Sequence, residues 1–173
     1  MELSPATVMG DGCIIHCSPH YGMEPLATKD EKQIWFHELS RPYRLDAPFP
    51  GELYVCILFA NDETITNEEQ AAVSEQLVRT GCRYAVCAGH DCSSWDTSVD
   101  MAYLATDEHF APPDETFVMT SWHERDSVED VIFHGLMCTM FHDHEFTRYL
   151  VLFIGPRAGL RDEVRRSVQE VWH

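Results

Sequence analysis

A chain of 173 residues, 45% of them hydrophobic, suffices for one domain with a sizeable core. Its 29 acids against 12 bases leave a net charge of −17 with histidine neutral, which makes nucleic acid and anionic membranes poor partners and suits a basic protein partner. Seven cysteines without disulfide-scaffold spacing, no signal-peptide pattern and apolar runs of only strand length predict reduced thiols in a cytoplasmic protein.

The first fifty residues are interrupted by Pro5, Pro19, Pro25, Pro42, Pro48 and Pro50. They are expected to form an irregular segment, 1–50, that packs onto the domain. Within it "CIIHC" is a short edge-strand candidate, and only "KDEKQIWFHEL" reads as helical. Residues 51–173 form the α/β domain proper.

From Leu53 two kinds of segment alternate. "LYVCILFA" (Leu53–Ala60) is a continuous apolar run, as in a strand buried on both faces. A capping box, Thr66 with Glu69, opens a helix that Gly81 ends. "CRYAVCAG" (Cys82–Gly89) is a second strand. After it Val99, Ala102 and Tyr103 predict a short helix capped by Asp96 or Thr97. "TFVMTSW" (Thr116–Trp122) is a third strand, and Ser127 with Asp130 opens a helix reaching about His142. "YLVLFIG" (Tyr149–Gly155) is a fourth. A last helix, from about Gly159, places Leu160, Val164, Val168 and Trp172 on one stripe. The alternation predicts a three-layer α/β fold, Rossmann-like or flavodoxin-like. Its mostly parallel sheet has about four to five strands, with helices on both faces.

Parallel sheets bind ligands at the carboxyl ends of their strands, so the residues after each strand are the candidate site. These are Asn61 after the first, then His90, Asp91, Cys92, Ser93, Ser94, Trp95 and Asp96 after the second, and Trp122 and His123 at the third. Phosphate chemistry is disfavoured: no glycine-rich turn is present, and Asp91, Asp96 and Asp100 would face the anion. No cofactor is expected.

Cys92 between a strand and a helix is a candidate nucleophile, with His123 as base and Asp91 orienting the imidazole. The plainer alternative is a buried structural thiol beside a hydrogen-bonded histidine. Neither this stretch nor "CIIHCSPH" has zinc-ligand spacing, so no metal is expected. His134, Cys138 and His142 share a helix face, but the helix around them is apolar nearly all round. They read as core, covered by the N-terminal segment or by a second subunit of a homo-oligomer. Trp95 and Trp122 are either walls for a planar ligand or a lid on the sheet edge. In a third alternative the "DCSSWD" block is structural, its Asp and Ser side chains capping the helix.

Three blocks carry a resemblance: "GCRY" at Gly81–Tyr84, "DCSSWDTSVD" at Asp91–Asp100, and "VMTSWH" at Val118–His123. Over about Leu53–His142 the chain resembles a bacterial family known as a domain of unknown function. The resemblance implies a bacterial origin and no particular activity. Two functions follow as expectations. One is a small-molecule site, a Cys–His hydrolase or transferase. The other is a non-enzymatic acidic module, of immunity or regulatory type, that binds a basic partner.

Overall fold

The computed structural model describes residues 22–140 and 144–172. Six strands form one sheet in the order β1-β2-β6-β3-β4-β5. They are β1 (Met23–Lys29), β2 (Lys32–Leu39), β3 (Tyr54–Ala60), β4 (Cys82–Gly89), β5 (Met119–His123) and β6 (Arg148–Ile154). Only β1 and β2 pair antiparallel; β2, β6, β3, β4 and β5 run parallel. This is the three-layer α/β fold, two strands larger than the apolar runs alone announce.

Those two strands correct the helical reading of "KDEKQIWFHEL". Lys29 and Lys32 are paired across a turn at Asp30–Glu31, and Asp30 takes a left-handed φ of 55°. Ile34 and Phe36 are buried on one face of β2 and Leu39 on the other, as the alternation of a strand allows. "CIIHC" and "CIIHCSPH" lie outside the described residues.

All seven residues of β3 are buried, and so are six of the seven in β6. Alternate residues feed two cores. Cys56, Leu58, Leu150, Leu152 and Cys87 pack under α1 (Asn67–Arg79) and α2 (Cys92–Leu104), with Tyr43, Leu45 and Phe49 of the β2–β3 connection filling the space beside α1. Val55, Ile57, Val151, Phe153 and Val86 pack under α3 (Val128–Phe133) and α4 (Leu160–Trp172) on the other face.

The capping boxes Thr66–Glu69 and Ser127–Asp130 both form, each satisfying helix-end amides that would otherwise lack partners. The third helix does not continue to His142. It passes into a π-helical turn at His134–Cys138. There Gly135 lies so close to Ile57 that a Cβ would approach its Cδ1 to 2.4 Å, and the turn can sit on β3 only because that position is glycine. Nor is this segment covered all round, since Phe133, Met137 and Met140 are exposed while Val131, Ile132 and Leu136 are buried. The π turn breaks the four-residue spacing of His134 and Cys138, and His142 lies outside the described residues. No helix among the described residues is long and apolar enough to cross a membrane.

Candidate functional site

The strand order reverses between β3 and β6, because the chain leaves β3 towards β4 and β5 and then returns to β3's other side. In this class of sheet that reversal opens a crevice at the strand tips. Here the crevice is filled by the chain itself. The backbone N–H groups of Asn61 and Asp62 donate to the Ile154 carbonyl, and Asn61 Nδ2 donates to the Gly155 carbonyl at 3.1 Å. Gly155, at φ 80°, lies against Asp62, where a Cβ would approach the Asp62 Cβ to 2.9 Å. Asn61 therefore ties two strand tips together.

Above this closure sits a charged network. Arg41 donates to Glu69 through Nε (2.7 Å) and Nη2 (3.1 Å), and to Asp62 at 3.3 Å. Asp62 also accepts from the Thr64 hydroxyl, the Thr64 backbone N–H and Tyr43. Those bonds, the Thr64 hydroxyl first, hold the Asp62 carboxyl down to about 2.

The "DCSSWD" block is helix rather than loop. Asp91 adopts a left-handed conformation (φ 48°, ψ 41°), and α2 starts at the next residue. Helical periodicity then decides the fate of each side chain. Ser93 points to solvent, Ser94 donates to Gln70 of α1 at 3.3 Å, and Trp95 is buried in the core. Asp96 turns inward. Asp91 is exposed and makes no capping bond, so the structural reading of the block does not hold for it, and neither Asp96 nor Thr97 is the cap. His90 is exposed at the tip of β4. Trp95 and Trp122 form no pair of walls, one being 1% exposed and the other 58%.

Cys92 is buried, and burial pushes its thiol up; the backbone N–H of His123 only partly offsets this. The expected thiolate is thus disfavoured, and the expected partner faces elsewhere. Cys92 packs with Cys87 and Val99 on the α1–α2 side of the sheet. His123 is in register with Ala88, which belongs to the opposite core, and its ring meets His134 of the π turn at 4.6 Å between centroids. Thiol and imidazole are separated by the sheet. The Cys92–His123 pair, with Asp91 exposed beyond the helix start, is not assembled.

His123 instead joins residues that counting from the strand tips missed. Its Nδ1 lies 2.6 Å from Asp126 Oδ2, and its Nε2 lies 3.3 Å from the Ser121 hydroxyl. On the same face Tyr84 OH is 3.5 Å from His134 Nε2. The available signal was the period of two, which puts Ser121 and His123 on one side of β5. Chemically this is a carboxylate–imidazole–hydroxyl relay, able to move a proton between Ser121 and His123. Among the described residues no group of three His, Cys, Asp or Glu side chains is arranged to hold a metal.

Two cavities lie away from all of this. One of about 570 Å³ is lined by Lys29, Lys32, Met137, Glu145 and Trp172, and a second of about 330 Å³ adjoins it beside Phe146 and Tyr149. Both open at the amino ends of β2 and β6, opposite the tips.

A family model described as domain of unknown function (DUF7684) matches residues 34–170. The chain belongs to that family. The match starts inside β2 and ends inside α4, and it spans β3, β4, β5 and β6 in full. No curated protein and no solved structure shows significant similarity to the chain.

Two outcomes follow. Alkylation of Cys92 should be slower than that of exposed Cys138 and unchanged by His123→Ala, as read by site-resolved mass spectrometry. Asp62 has a folded pKa below its ordinary value of 3.8, so its stabilising contribution is complete above that value and disappears as the pH falls towards about 2. Thermal melts across that range should show the loss, and Asp62→Asn should melt lower at neutral pH with a flatter dependence.

Proposed function

We propose that this chain is a binding module, of immunity or regulatory type, for a basic protein partner. The observation that carries the reading is how the charge is distributed. Of the 12 bases, Lys32, Arg41, Arg44, Arg148, Arg161 and Arg165 are already paired with acids of the chain. What faces a partner is therefore dominated by unpaired carboxylates, Glu63, Asp91, Glu124 and Glu129 among them at the strand tips and around β5. Such a field speeds encounter with a basic surface and rejects acidic ones. The sealed Cys92 thiol and the filled crevice fit a protein that binds through its surface.

A second reading is favoured by the relay on β5. There the chain is a hydrolase acting on a small ester or amide, with Ser121 as nucleophile, His123 as base and Asp126 orienting it.

The two separate by experiment. Affinity capture from source cells at about 20 mM salt should retain a net-basic protein, released at about 300 mM salt or by Glu124→Lys with Glu129→Lys. Retention indifferent to both would contradict the first reading. With a fluorophosphonate probe we expect Ser121 to stay unlabelled. Labelling that His123→Ala abolishes would replace the first reading by the second.

A further inference from the structure

If a basic partner docks here, it needs a position where a cation gains more than it would elsewhere on an acidic surface. The α2 face of β5 supplies one. Asp96 is 9% exposed, and its Oδ1 is buried with no hydrogen-bond partner among the described residues. One helical turn later, half-buried Asp100 accepts from the Thr120 hydroxyl of β5 at 3.0 Å. Burial raises the Asp100 carboxyl, with Asp96 adding to the rise. Thr120 and Trp122 are in register with Ala85 and Cys87, whose side chains lie in the α1–α2 core, so both point to the α2 side. Trp122 is 58% exposed there. β5 is also the last strand of the sheet, so among the described residues its outer backbone groups have no strand to pair with. Two neighbouring carboxylates, one with an unanswered buried oxygen, thus meet an open indole at a free strand edge.

We propose that Asp96, Asp100 and Trp122 receive an arginine side chain from an extended basic segment of a partner protein, laid along β5. The proposal rests on the binding-module reading and gives it an address. A buried carboxylate oxygen without a donor is costly, and a charged donor entering from outside recovers that cost. Guanidinium fits better than ammonium. It is planar, bonds a carboxylate through two donors, is more weakly hydrated and stacks on an indole face. The extended backbone carrying it would satisfy the open edge of β5, the usual physics of strand addition.

Other occupants fit less well. Two carboxylates and a hydroxyl do not make a metal cage, and no group of three metal-ligating side chains is found among the described residues. Residues 1–21 contain no Lys or Arg, so that segment brings no guanidinium or lysine ammonium of its own. A second copy carries the same charge of −17 and is repelled.

The test uses the full chain, isotope-labelled for NMR, and two blocked peptides. One alternates arginine with valine; the other has citrulline, the same shape without charge, in place of arginine. The arginine peptide should shift amides of β5 and of residues 96–100, and the citrulline peptide should not. Asp96→Asn and Trp122→Ala should each weaken binding at least about fivefold. Asp96→Asn should leave the melting temperature of the free protein no lower, because the buried Oδ1 gives up no hydrogen bond of the described chain. A fall would mean that Asp96 has a partner within the chain, and would overturn the site. Unchanged affinity in both variants, with the footprint elsewhere, would overturn the site while leaving the binding-module reading. No preference for arginine over citrulline at about 20 mM salt would overturn both.

Discussion

The constraint on which this structure depends is the burial of β3 and β6 on both faces. A strand with no solvent face must be covered twice, and the chain has to supply both layers. It does so with α1, α2 and the β2–β3 connection on one side and with α3, the π turn and α4 on the other. Everything at the strand tips follows from this. Once β3 and β6 are adjacent at the centre, their ends meet, and Asn61, Asp62 and Gly155 close on one another. The centre of the sheet is thereby used up for packing, and exposed chemistry is pushed out to the edge strand β5.

That displacement explains why β5 carries unlike equipment on its two faces. One face holds Ser121, His123 and Asp126 in a hydrogen-bonded line, with His134 beside them. The other holds Thr120 against Asp100, with Trp122 open to solvent. An edge strand covered by a helix on one face only is where polar groups persist without filling the core. Beneath it lies Asp96, whose buried Oδ1 has no hydrogen-bond partner among the described residues. A protein that leaves such a group unpaired gives up some stability, which is the usual signature of a site kept for binding.

Much of the fold was legible in the sequence because the central strands are continuous apolar runs and two helices open with capping boxes. Both signals are local. The β1–β2 hairpin was not legible. Charged residues in "KDEKQIWFHEL" imitate a helix, whereas Asp30 in a left-handed turn and the Ile34, Trp35, Phe36 run are the features that make it a strand. The tip residues are legible as positions at the carboxyl ends of the strands, but their side chains do not converge. Closeness in the tip region does not bring Cys92 to His123, because the two face opposite sides of the sheet, and the facing of Cys92 depends on where α2 begins. Asp91 starts the helix early, so the same six letters deliver Trp95 to the core, Ser93 to solvent and Asp96 to the sheet. Charge imbalance is plain in the sequence, whereas the pairing of half of the bases with acids of the same chain is visible only in the fold.

On this proposal the buried Oδ1 of Asp96 receives a positive charge from another molecule. The decisive measurement is a crystal structure of the chain bound to the arginine–valine peptide. The guanidinium should lie against Asp96 and Asp100 beneath the Trp122 indole, with the peptide backbone paired to the outer edge of β5. A peptide seated elsewhere, with Asp96 Oδ1 bonded to a group of its own chain, would contradict it.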